Sequence, residues 1–254
     1  MDGTIYLDEQ LFDGVPEFLE LIRSRGGRYL FLTNNSSRGL EGYLEKMKRL
    51  SLPAESEDFL TSADAAVRLL QREYAGRRVY VMRTESLKAQ LRREGILVCD
   101  TLKEEPQILL AGFDRELTFQ KLEDACRLLG QGAEFLATNP DWVCPVSFGF
   151  VPDCGSICEM LWHATGRRPR IIGKPQPEMV ELARERTGFS REETQVIGDR
   201  LNTDIACGIN AGVDTAFVLS GEGRQEDIEE TGIRPSAVYE NIARILSEMK
   251  GMEP

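Results

Sequence analysis

Two aspartates five residues apart, Asp199 and Asp204, sit in GDRLNTD (198–204), which follows the short apolar run TQVIG. The run reads as a buried strand, so Asp199 stands at its tip and Asp204 near the start of the next helix. A third acid, Asp2, opens the chain in DGT. Carboxylates gathered in a partly buried site repel one another, and a hard divalent cation removes that conflict. Oxygen ligands that leave room for water suit Mg²⁺, with Asp2, Asp199 and Asp204 as the donors. The plain alternative is that Asp199 is a loop acid and Asp204 a helix cap.

Two further clusters supply complementary chemistry. Lys174, in GKP after the strand-like RII, is a point charge able to neutralise a phosphate; taken singly it reads as a surface lysine. Thr33, Asn34 and Asn35 follow RYLFL (28–32), where a hydroxyl and loop amides can hold an oxyanion, or equally form a turn and helix cap. Phosphoryl transfer places charge on equatorial oxygens and asks the protein for cations, donors and alignment. Lys174 and Mg²⁺ provide the first, Thr33 and Asn34 the second, and Asp2 can move a proton. An obvious nucleophile is missing.

These clusters need strands to carry them. Val15, Phe18, Leu19 and Ile22 repeat at helical spacing, with Pro16 in the first turn and Gly26-Gly27 at the end. Leu40, Tyr43, Leu44 and Met47 repeat it. DFLTS (58–62) and RVYVM (78–82) read as strands around the helix ADAAVRLLQREYAG; DTAFVLS (214–220) reads as a strand and ENIARILSEMK as the closing helix. Strands alternating with helices imply βαβ units and a mainly parallel, doubly wound α/β sheet, which binds ligands outside the carboxyl ends of its strands. The middle adds its own signals, QILLAGF, TFQKLEDACRLLG, EFLAT and SICEMLWHATG. It also holds a long irregular stretch, 138–156, of the kind that is functional. We read it as a second α/β domain inserted into the first: core 1–80, insertion 81–169, core 170–254.

At 254 residues the chain exceeds the usual single-core size. A net charge of −11, from 42 acids against 31 bases, disfavours nucleic acid and acidic membrane surfaces as partners. It leaves small anionic substrates open. There is no apolar run long enough to span a bilayer and no secretion signal, so a cytoplasmic location is expected. Six scattered cysteines and one histidine, His163, read as buried reduced thiols and a packing residue, not a zinc site.

Taken in order, DGTIYLD, TNNSS, ATNPD, TGRRP with IIGKPQPEM, and GDRLNTDIACGINAG resemble the haloacid dehalogenase-like (HAD) phosphohydrolases, in their NagD-like, p-nitrophenyl-phosphatase branch. The resemblance spans essentially the whole chain. It implies a Rossmann-like core with a large α/β cap. It also implies a Mg²⁺-dependent phosphatase of small phosphorylated metabolites, such as sugar phosphates or nucleoside monophosphates.

In that family the first motif is Asp-x-Asp-Gly. The first Asp becomes an aspartyl-phosphate and the second is the general acid/base, its carbonyl on Mg²⁺. Aligned here, Asp2 is the second Asp and Met1 the intervening residue, so the nucleophile and its strand are expected just upstream of Met1. The alternative is a catalytically inactive protein that binds phosphorylated ligands. The resemblance further assigns Thr33, Asn34 and Lys174 to the phosphate, and Asn139, Asp141 and Asp153 to a substrate-specificity loop in the cap. A second copy paired through the cap is a further expected partner. PDCGS (152–156) departs from the family's P-G-x-G by placing Asp153 where glycine is usual, and RTES (83–86) replaces a glycine-rich turn.

Overall fold

The computed structural model describes residues 1–34, 39–146 and 148–251. Two compact units make up the chain. Unit 1 holds Met1–Thr33, Leu40–Leu60 and the described residues from Lys174 on; unit 2 holds Asn34, Gly39 and Thr61–Gly173. The fold is the doubly wound parallel α/β class with an inserted α/β domain.

Unit 2 is built on a five-stranded sheet, all parallel. Its order is Arg170–Ile171, Glu134–Ala137, Ile108–Ala111, Arg78–Met82, Leu97–Cys99. The central ILLA strand is buried throughout, as a parallel strand covered on both faces must be. Helices Phe119–Gly130 and Cys154–Thr165 bury Ala125, Leu128, Leu129, Ile157 and Leu161 against it. This sheet also explains why the insertion is larger than 81–169. Arg78–Met82 lies inside the sheet beside Ile108–Ala111, and Arg170–Ile171 pairs with Leu136 and Ala137. A boundary at 80 or at 169 would cut or strip a hydrogen-bonded strand, so the contacts change hands at 60/61 and 173/174 instead.

The stretch 138–156 is not irregular throughout. Val143–Val146 and Gly149–Pro152 form an antiparallel hairpin, and the following helix already starts at Cys154. Pro145 and Pro152 are accommodated because a two-stranded ribbon has open edges. Asp153 needs no glycine-like backbone. It is extended, with φ −108°, and its carboxylate caps the helix by accepting from the Cys154 N–H at 2.5 Å. His163 packs into no core; it is exposed on that helix, and the half-buried Trp162 ring beside it carries the Arg168 guanidinium at 3.9 Å.

Unit 1 carries three parallel strands in the order Gln195–Gly198, Asp214–Val218, Ala237–Tyr239. Phe31–Thr33 pairs with Phe59–Thr61 in a separate sheet. Helices Val15–Ser24 and Ile242–Gly251 bury Val15, Phe18, Leu19, Ile242 and Ile245 in the common core. Each such side chain contributes roughly 1.5–3 kcal/mol through burial. An aromatic ladder runs through this core, Tyr29 to Phe31 to Phe59 to Tyr43, with centroids 5.4, 5.2 and 5.8 Å apart. Among the described residues no disulfide joins the cysteines, and no helix is long and apolar enough to cross a membrane.

Candidate active site

Unit 1 brings the strand-tip residues together. Lys174 and Asp204 are both buried, and the Lys174 ammonium donates to Asp204 Oδ1 at 2.5 Å. The same ammonium reaches the Leu32 carbonyl at 3.5 Å, one residue before Thr33. Asp204 arrives through a π-turn, Leu201–Ile205, in which both the Asp204 and Ile205 N–H groups donate to the Arg200 carbonyl at 3.0 and 3.2 Å. Such one-turn π segments recur at functional sites because they re-aim one side chain within a helix. Gly198 makes room for it: a Cβ there would lie 2.2 Å from the Asp204 Cβ.

Asp199 is fixed more tightly still. Its Oδ1 accepts from the Thr4 hydroxyl at 2.9 Å and its Oδ2 from the Glu222 N–H at 3.1 Å. Its carboxylate lies between two glycines, since a Cβ on Gly3 or Gly221 would come within 2.2 or 2.0 Å of Oδ2. Gly3 has φ +77° as well, so the turn after Asp2 requires glycine twice over. Ser220 Oγ donates to the Gly3 carbonyl at 2.7 Å and closes the 220–223 loop over the first residues. Asp2 itself is exposed.

Charge and burial act together on Asp204. Burial alone would raise the pKa of Asp204, but the positive charges around it, the Lys174 ammonium first, outweigh burial and hold the carboxyl below the usual carboxylate range. Cys207, whose thiol donates to the Gln176 carbonyl at 3.0 Å, is pushed up to about 12 by burial and stays an unreactive thiol.

Thr33 is buried, and its hydroxyl lies 3.2 Å from the Tyr43 hydroxyl. Asn34 belongs to unit 2, where its amide nitrogen donates to Asp141 at 3.2 Å and its carbonyl accepts from Ser62 Oγ at 2.8 Å. Asn35 lies outside the described residues. Of the three residues assigned to specificity, Asn139 and Asp153 are buried and hold their own loop: the Asn139 amide oxygen accepts from the Asp141 N–H at 3.0 Å, and Asp153 caps its helix. Asp141 is half-buried.

Sequence reasoning placed Thr4 in a candidate cluster without its bond to Asp199, and missed Tyr43 and the SGEG loop (220–223). The loop had a signal. It follows a strand at its carboxyl end, as the other clusters do. Tyr43 had none, because at helical spacing it reads as core.

Comparison with known proteins fits this geometry. A haloacid dehalogenase-like hydrolase family model matches residues 1–97, and a HAD-hydrolase-like model matches 171–245. The acid sugar phosphatase of Staphylococcus aureus strain MRSA252 is 31% identical over 250 residues, 98% of this chain and 96% of that protein. The crystal structure of 4-nitrophenylphosphatase from Thermotoga maritima superposes with a TM-score of 0.89 at 35% identity, covering 97% of this chain and 94% of that one. Glycerol phosphate phosphatase from Mycobacterium tuberculosis, in complex with magnesium, gives 0.88 at 31% identity, covering 96% and 74%. The chain therefore belongs to the haloacid dehalogenase-like hydrolases, in their NagD-like, p-nitrophenyl-phosphatase branch. It is a phosphoric monoester hydrolase of the HAD-like phosphatase class.

Proposed function

We propose that this protein is a Mg²⁺-dependent phosphatase of small phosphorylated metabolites, sugar phosphates or nucleoside monophosphates, acting through an aspartyl-phosphate whose aspartate precedes Met1. The observation that carries the reading is a buried ammonium, Lys174, set between Asp204 and the backbone beside Thr33. A buried cation at a strand tip supports a phosphate site, with a divalent ion offsetting the neighbouring carboxylate. The acid sugar, 4-nitrophenyl and glycerol phosphate phosphatases named above point to the same substrate class.

Among the described residues no three acidic, histidine or cysteine side chains form a ready metal cluster. Mg²⁺ does not need one, since it is held by one or two carboxylates with water and substrate phosphate completing the shell. Asp199 and Asp204 supply hard oxygen donors fixed by Thr4, Glu222 and Lys174, and with Asp2 they suit that ion. When bound, Mg²⁺ neutralises charge on the phosphoryl oxygens.

The chain's own residues then divide the work. Lys174 balances phosphate charge, and Thr33 donates to its oxygens. In the first displacement the upstream aspartate forms a bond to phosphorus as the ester bond breaks, and Asp2 gives its proton to the leaving alkoxide. In the second, water attacks phosphorus, its proton passes to Asp2, and the aspartate carboxylate is released. Asn139, Asp141 and Asp153 set the shape of the specificity loop. Phe148, 79% exposed, with Phe150 and Trp142 gives unit 2 an apolar surface suited to pairing with a second copy.

The test uses the chain extended upstream in its own reading frame. Asp199→Asn is expected to lower Mg²⁺-dependent hydrolysis of p-nitrophenyl phosphate at least about a hundredfold. Turnover equal to that of the parent would refute the assignment.

A further inference from the structure

Tyr43 is buried on the helix Gly39–Arg49, at the end of the aromatic ladder, with its ring stacked on Phe59 at 5.8 Å and 29°. Its hydroxyl lies 3.2 Å from the Thr33 hydroxyl. Either oxygen can donate in that pair, and the choice has a chemical consequence. Each hydroxyl carries one hydrogen. A phosphate dianion offers only acceptors, so a threonine that binds it must point its single hydrogen at the anion. Toward Tyr43 the threonine can then only accept.

We propose that Tyr43 is a positioning residue: its phenolic O–H donates to Thr33 and so turns the Thr33 hydrogen toward the phosphoryl group. The stack on Phe59 fixes the phenol ring, so the donor is aimed before the ligand arrives and little freedom is lost on binding. The inference rests on the phosphate-binding reading of Thr33 given above. It adds a residue whose place on the apolar face of a helix gives no hint of a polar task.

Binding of inorganic phosphate in the presence of Mg²⁺, measured by titration calorimetry on the 254-residue chain, tests it. Tyr43→Phe keeps the ring and its stack, and is expected to weaken phosphate binding by about three- to tenfold, the span of one neutral hydrogen bond. Thr33→Ala removes the group through which Tyr43 acts. In that background Tyr43→Phe should have no further effect, whereas in Thr33→Ser, which keeps the hydroxyl, the loss should persist. A purely structural role would weaken binding equally in all three backgrounds, and that result overturns the inference. So does a Tyr43→Phe protein that binds as the parent does, with the phosphate site itself left standing. If the parent and its Thr33 variants all fail to bind phosphate, the site reading falls and this inference with it. Circular dichroism and urea midpoints of each variant establish that the folded proteins are being compared.

Discussion

Asp204 in unit 1 and Asp153 in unit 2 are both buried, 8% and 4% exposed, and both stand where a helix begins. Their acidities move in opposite directions. Asp204 is held below the usual carboxylate range, because Lys174 at 2.5 Å and the neighbouring positive charges outweigh the cost of burial. Asp153 is pushed up to about 6 by burial; Asp141 adds to the rise, while its cap bond to Cys154, the charge of Arg83 and Asn139 oppose it without reversing it. Burial sets the default, and a cation at hydrogen-bond distance overturns it. The first arrangement keeps a carboxylate ionised, as a metal or phosphate site demands; the second tolerates a carboxylate as a helix cap.

The sharpest way to break this contrast is to remove the cation. Lys174→Met leaves Asp204 buried without its partner and should destabilise unit 1 by about 3–5 kcal/mol. Adding Asp204→Asn to that variant removes the stranded charge and should restore most of the loss. Urea unfolding in EDTA measures both. Equal instability of the single and double variants would mean that Lys174 stabilises through packing and not through charge.

A second, smaller effect concerns space. Gly221→Ala would set a Cβ 2.0 Å from Asp199 Oδ2, so the carboxylate must leave its bonds to Thr4 and Glu222. The expected costs are about 1–3 kcal/mol of stability from overpacking, and weaker Mg²⁺-dependent phosphate binding. Gly130 in unit 2 is the counterpart. It ends the helix Phe119–Gly130, and a Cβ there meets nothing within 4 Å. Gly130→Ala should be neutral or stabilising by about 0.5–1 kcal/mol. Calorimetric melting of the two variants side by side checks the pair; a harmless Gly221→Ala would show that the Asp199 pocket is loose.

The two units also differ in how far they could be read from the chain. Where burial follows a period the sequence spoke clearly: RVYVM is the strand Arg78–Met82, and Phe119–Gly130 and Val15–Ser24 are helices on the expected residues. In the site, Asp199 was legible as a strand-tip acid and Asp204 as an acid near the next helix start, because fold class says where strand ends converge. Lys174 taken singly read as a surface lysine. What stayed hidden depends on contacts at long range. The π-turn that aims Asp204 has no local signature, since it only redistributes hydrogen bonds within a helical stretch. Thr4, 195 positions from Asp199, is an ordinary turn residue until the carboxylate arrives. The 143–152 hairpin was hidden by its prolines, and the extent of the insertion by a strand, Arg78–Met82, whose partners lie ahead of it in the chain.

The smallest expected effect tests the unit 2 half of the comparison. With a folded value of about 6 against an ordinary value near 4, native Asp153 binds more protons than the unfolded chain between those two pH values. Its contribution to stability therefore falls as pH rises from about 4 to about 6, and is flat above. Asp153→Asn keeps a side-chain oxygen to cap the Cys154 N–H and carries no charge to bury. Its melting temperature should match the parent near pH 4 and exceed it above pH 6, with a gain on the order of 1 kcal/mol. An advantage that is the same at pH 4 and pH 8 would mean that the carboxylate pays no desolvation cost, and that capping alone governs this position. If the gain grows with pH as expected, burial outweighs the cap bond and the charge of Arg83 at Asp153, whereas at Asp204 the charge of Lys174 works against burial.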